Sequence, residues 1–158
     1  VMPLTVTGSP AASAAMRLAD MGIAPYMVAL GLRLVIAQRL VRVLCDNCKE
    51  PCTPEPHEQA WLAEESLAPS TSPTAAPRYF RAVGCPHCRG SGYRGRTGIY
   101  ELVVVDDAMR TMIHDGAAEH DLERHARTMT PSIRDDGRTK VLAGETTIEE
   151  VLRVTRED

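Results

Sequence analysis

Cysteine is the residue type in this sequence that proposes chemistry. Cys45 and Cys48 form one Cys-x-x-Cys pair, and Cys85 and Cys88 form a second, with residues 49–84 between them. Cys52 is the fifth cysteine, and none lies outside residues 45–88. Each short turn presents two sulfurs to the same point, so two pairs can deliver four thiolates to one tetrahedral cation. Zinc suits that set because it prefers thiolate and has no redox chemistry of its own. Cys45, Cys48, Cys85 and Cys88 are therefore the candidate metal ligands. On residue type alone an iron–sulfur cluster, a redox pair and four buried thiols stay open as alternatives. No thioredoxin-like βαβ pattern surrounds either pair. Cys52 reads as a spare thiol.

The second pair sits in "GCPHCRGSGYRGRTGIYE", residues 84–101, where Gly90, Gly92 and Gly95 match the Gly-x-Gly-x-x-Gly spacing of a phosphate loop. That loop needs a strand before its first glycine and a helix after its last. Here a metal knuckle precedes Gly90 and a strand is expected after Gly95. The glycines therefore belong to the knuckle, where positive φ lets backbone N–H groups approach a thiolate. The sequence contains no Gly-x4-Gly-Lys-Ser/Thr string, and no local Ser/His/Asp set or carboxylate pair proposes an active site. No catalytic and no cofactor-binding residue is assigned. His57, His87, His114, His120 and His125 show no ligand spacing and read as solvated surface.

The elements that must position the cysteines follow from pattern. Ser9 and Pro10 predict a helix start, with Ala11, Ala14, Ala15, Leu18 and Met21 on one face and Gly22 at its stop. A second helix is expected from Pro25, with Met27, Leu30, Leu34 and Gln38 on successive turns. "RLVRVL" then reads as a strand running into the first cysteine pair. "HEQAWLAEESL" predicts a short helix with Trp61 and Leu62 packing on the metal site or a neighbour. "APSTSPTAAP", residues 68–77, has the composition of a loose linker. "TGIYELVVV" reads as a buried strand. Four helical stretches follow, one opened by Asp106 or Asp107 and the last by a capping box of Thr146 with Glu149 or Thr147 with Glu150. The last fifty or so residues are expected to form a small helical bundle. The organisation predicted is 1–44 as one part, 45–96 as a metal-binding insertion, and 97–158 as a strand with helices.

The 158 residues are 44% apolar but only 4% aromatic, so Leu, Val, Ala and Met must fill the core. Net charge is −3, with the basic excess in residues 1–44 and the acidic excess in 106–158. An acidic half argues against nucleic acid as a partner. Arg89, Arg94 and Arg96 beside the second pair are a local exception. The apolar run around residues 27–37 is too short to span a bilayer, and no export signal is seen, so a cytosolic compartment is expected. The first residue is Val1, which suggests a fragment.

The order of motifs is more specific than any one of them. "RLADMGI", "AQRLVR-x-LC-x2-CKEP", "GCPHC-x-GSGYRGRTGIYEL" and the closing "GETTIEEVLRVT" resemble the C-terminal part of the type II secretion ATPases. These are secretion-superfamily traffic ATPases, related to the type IV pilus assembly motors. The resemblance runs from about Ser13 to Asp158. It implies an α/β fragment: the end of a RecA-like ATPase core, a tetracysteine zinc insertion and a C-terminal helical subdomain. Cys45, Cys48, Cys85 and Cys88 match the family's zinc ligands. It also implies a homo-hexameric motor at the cytoplasmic face of the inner membrane, working with secretion components there. In the full-length parent, ATP and Mg would drive pseudopilus assembly and protein export.

The departures bear on that reading. The family's Walker A loop, Asp box and Walker B segment all precede these residues. A gapless alignment back from Arg17 sets Thr7 at the family's histidine, and no His occurs before His57. Cys52 stands where a Tyr or another non-ligand is expected. The chain by itself is not expected to hydrolyse ATP. Arg17, Arg33, Arg39 and Arg42 are candidates to face a neighbouring subunit or phosphate, or are simply solvated. One alternative is a stand-alone zinc module for nucleic acid or unfolded protein, since "CPHCRGSG" also resembles one repeat of J-domain chaperones. The other is a decayed remnant, whose residues 9–36 would expose apolar surface.

Overall fold

The computed structural model describes residues 13–63 and 79–155. The helix start at Ser9 and Pro10 and the linker 68–77 lie outside them. The fold is mixed α/β. Two short helices, α1 (Ser13–Asp20) and α2 (Pro25–Gly31), lead into a long strand, β1 (Leu34–Leu44). Then come β2 (Glu50–Cys52), α3 (Pro56–Ala63), β3 (Tyr79–Arg81) and a second long strand, β4 (Tyr93–Val104). Four helices follow: α4 (Asp107–His114), α5 (Glu119–Arg127), α6 (Ile133–Leu142) and α7 (Ile148–Thr155). Strands β1 and β4 pair as one two-stranded sheet and β2 and β3 as another.

The chain forms two compact units, each discontinuous in sequence. One comprises Val1–Ala37 with Glu101–Thr130, the other Gln38–Tyr100 with Pro131–Asp158. Each unit takes residues from more than one of the three sequence spans.

In the first unit the core is Ala15 and Leu18 of α1, Val28 and Ala29 of α2, Val103 and Val105, Met109 and Ile113 of α4, and Leu122 and Ala126 of α5. Gly22, at φ 86°, stops α1 as its position predicts. The second helix is shorter than its apolar spacing suggested. It ends at Gly31, and Leu34 and Gln38 lie in β1 instead. The β-branched run Val35-Ile36 and the alternation that follows favour the extended state over a third helical turn. Its buried face is Val28 and Ala29, while Met27 and Leu30 are exposed. Met21, Tyr26, Leu34, Ile36, Leu102 and Val104 are exposed in this unit too.

The second unit is built on Val41 of β1, Ile99 of β4, Trp61 of α3, Val141 of α6, and Ile148 and Val151 of α7. Trp61 packs in this core, and its carbonyl accepts a 2.9 Å hydrogen bond from Arg138. β4 begins at Tyr93 and alternates rather than being buried throughout. Gly98 aside, Ile99, Glu101 and Val103 point inward while Tyr100, Leu102 and Val104 are exposed. α4 and α5 belong to the first unit, α6 and α7 to the second. Their amphipathic faces find different strand segments, a choice that local periodicity does not encode.

Candidate metal centre

β1 carries the chain directly into the first knuckle. Leu44 and Cys45 are buried, and the Cys45 N–H donates to the Gly92 carbonyl at 2.9 Å. The Cys45 carbonyl accepts from Cys48 N–H at 3.1 Å and from Lys49 N–H at 2.9 Å, closing a tight turn. The second knuckle is a short 3-10 turn, Pro86–Cys88, with Cys85 extended before it. Pro86 sits at the first position of that turn, where its missing N–H costs nothing.

This folding gathers four sulfurs. The Sγ atoms of Cys45, Cys48, Cys85 and Cys88 all lie within 4.8 Å of one another. Cys45 to Cys85 is 3.9 Å, Cys48 to Cys88 is 3.8 Å, and Cys85 to Cys88 is 3.8 Å. A disulfide would hold sulfurs at about 2.05 Å. A tetrahedron with metal–sulfur bonds of about 2.3 Å has edges of about 3.8 Å. The donor set and its spacing thus fit a thiolate-binding tetrahedral cation. Cys52 is outside the cluster, on β2 opposite Tyr79 of β3.

Backbone donors surround the sulfur of Cys88. Cys85 N–H and Gly92 N–H each approach it at 3.2 Å. Gly92 reaches this position at φ 75°, and a Cβ there would lie 2.6 Å from the Cβ of Ala82. Glycine is required both by the dihedral and by the space. Burial pushes the Cys88 thiol up, but those N–H groups and the neighbouring thiols outweigh it and hold the thiol at about 6. Burial and the three adjacent thiols push Cys48 up to about 12. Sulfurs this close do not ionise independently.

Surrounding contacts brace the two turns. β2 and β3 pair Glu50 with Arg81 just beyond the knuckles, and these side chains form a 2.8 Å salt bridge. Lys49 Nζ reaches the Gly144 carbonyl at 3.2 Å and Asp46 at 2.7 Å, and lies over the Phe80 ring. The bond from Lys49 holds the Asp46 carboxyl below its ordinary range.

Two positions sequence reasoning misread are side-chain pairs. His125 is partly buried, and its Nε2 lies 3.0 Å from both carboxylate oxygens of Asp106. Asp106 is also the N-cap of α4, accepting from Met109 N–H at 2.7 Å. His57, His87, His114 and His120 are exposed, as expected. Arg42 is engaged by Glu150 and Tyr93.

The family described as type II/IV secretion system protein matches residues 4–153. The chain belongs to this family. Type II secretion system protein E of Pseudomonas aeruginosa is 54% identical over 154 residues, covering 98% of this chain. Type II secretion system ATPase E of Vibrio cholerae is 46% identical over 153 residues, and protein E of Aeromonas hydrophila 48% over 154. The secretion-family segment seen here spans 29% of the length of each of these relatives. Among the described residues of this family member, no helix is long and apolar enough to cross a membrane.

Proposed function

We propose that this chain is the zinc-binding and helical C-terminal portion of a type II secretion ATPase. The observation that carries the reading is the four-sulfur cluster inside a sequence of that family. Cys45, Cys48, Cys85 and Cys88 would hold one zinc ion. Zinc bound there supplies a redox-silent cross-link and no catalysis. Residues 45–48 and 85–88 would be tied together at the base of a long insertion, and metal affinity on the order of 10 kcal/mol would support its folding.

The wider activity belongs to the whole protein. The V. cholerae relative is named an ATPase, and these residues hold no Walker A string. ATP and Mg would bind residues outside this segment, in a RecA-like core to which residues 1–44 contribute. The assembled protein would be a homo-hexamer on the cytoplasmic face of the inner membrane, powering export together with membrane components of the secretion machine. The acidic balance of residues 106–158 supports a protein-facing role over nucleic-acid binding.

The test is exchange. Residues 4–153 replace their counterpart in the V. cholerae ATPase, and secretion and ATP turnover are measured. The chimera is expected to secrete, and the same chimera with all four cluster cysteines changed to serine is expected to fail. Equal secretion by both would show that the cluster does no work in the motor.

A further inference from the structure

From Ser66 to Tyr100 the sequence holds five arginines and no aspartate or glutamate, in a chain of net charge −3. Arg81 is taken by Glu50 at 2.8 Å. Arg89, Arg94 and Arg96 are exposed, and among the described residues none has a carboxylate partner. They sit on the second knuckle and its exit. Arg89 holds a left-handed backbone, φ 55°, with its N–H on the Pro86 carbonyl at 3.2 Å. Arg94 lies against the exposed His87 ring. We infer that Arg89, Arg94 and Arg96 form a docking surface for an acidic face of a partner protein, a role that goes beyond metal binding.

The choice of partner rests on what accompanies the charges. A single strand of nucleic acid needs open aromatic faces on which bases stack. Tyr93, the aromatic residue beside these arginines, is covered by Arg42 at 4.1 Å, and its hydroxyl is 3.0 Å from Thr147 Oγ1. A bilayer surface is held stably when basic charge is joined by an inserted apolar anchor. Val83 is the one large apolar side chain exposed among residues 79–99. Arg89 on a turn fixed by backbone hydrogen bonds, with Arg94 and Arg96 at the start of β4, suits carboxylates instead, because each planar fork can take a carboxylate in two parallel bonds.

The test titrates the metal-loaded chain against a fluorescent poly-L-glutamate peptide, with phosphatidylglycerol vesicles and oligo-dT as competing probes. The peptide is expected to bind more weakly as salt rises. Arg94→Glu with Arg96→Glu is expected to weaken it about tenfold, while Arg124→Glu on α5 leaves it unchanged. Metal content is measured on every sample, so loss of the cluster is told apart from loss of the surface. Arg94→Gln with Arg96→Gln repeats the comparison without charge reversal. Equal loss with Arg124→Glu, stronger binding to vesicles or oligo-dT, or no peptide binding at low salt would overturn the assignment.

Discussion

Arg42 and Glu150 are 108 residues apart in sequence and joined twice in the fold. The Glu150 carboxylate, 1% exposed, accepts from the Arg42 backbone N–H at 3.1 Å and from its guanidinium at 2.5 Å. Arg153 adds two bonds from the next turn of α7, at 2.9 and 3.0 Å. Thr146 Oγ1 donates to the Arg42 carbonyl at 2.8 Å, so the start of α7 is fastened to β1 by both side chain and backbone. Arg42 lies three residues before Cys45, which makes this fastening the support of the first knuckle.

Removing that carboxylate is expected to cost stability. Glu150→Ala strands a backbone N–H and releases two guanidiniums that are themselves half exposed, so the loss is about 2–4 kcal/mol. Glu150→Gln keeps the shape and loses less. Urea unfolding of the metal-loaded protein measures both. A change under 0.5 kcal/mol for Glu150→Ala would mean that α7 is held by its apolar face alone.

The same carboxylate sets a pH dependence. Burial pushes Glu150 up, but the bonds from Arg42 and Arg153 outweigh it and hold it at about 2 against an ordinary 4.5. The folded value is depressed, so the unfolded chain binds the proton more readily between those limits. Its contribution is complete above pH 4.5 and is lost as pH falls from 4.5 towards 2. Stability measured from neutral pH downward should therefore fall more steeply for the native chain than for Glu150→Gln. Acid release of a cluster metal would act on both, so the difference between the slopes isolates Glu150. Parallel slopes would contradict the assignment.

Gly84 precedes the second cysteine pair at φ 114°, and a Cβ there would meet the Gly90 carbonyl oxygen at 2.5 Å. Gly84→Ala must move the backbone that carries Cys85, at a cost of about 1–3 kcal/mol. Weaker retention of metal against a chelator is the expected result. Retention equal to that of the native chain would show that the knuckle yields without disturbing its sulfurs.

Asp106 does two jobs that substitution can separate. Asp106→Ala loses the cap on Met109 and the contact with His125, and should destabilise the chain by about 1–2 kcal/mol. Asp106→Asn keeps a capping oxygen and loses the charge, and should cost less than half of that. Thermal unfolding gives the order. Asn as damaging as Ala would assign the effect to charge rather than to capping.

What was legible in the sequence was what is local. Two Cys-x-x-Cys turns, a proline inside one and glycines after it are enough to foresee sulfurs meeting at one point. The pattern around Trp61 predicts a short helix, and Asp106 or Asp107 is an expected helix start; Asp106 is the N-cap. The misreadings come from groups whose partners are distant in sequence. Met27, Leu30 and Leu34 fit a helical spacing, yet Leu34 is claimed by a strand whose pairing partner is β4. Thr147 and Glu150 fit a capping box, and Thr147 Oγ1 does accept from Glu150 N–H at 3.2 Å. The Glu150 carboxylate goes instead to Arg42, which no local pattern announces. His125 looked like surface because Asp106 lies on another helix boundary. Its one legible signal was an acidic N-cap within reach of a basic α5 terminus.

Elemental analysis of the purified, reduced chain beside Cys85→Ser and Cys52→Ser tests the central claim most directly. One zinc per chain, kept by Cys52→Ser and lost or much weakened by Cys85→Ser, is the predicted result. Iron in place of zinc, or a folded native chain without metal, would contradict it.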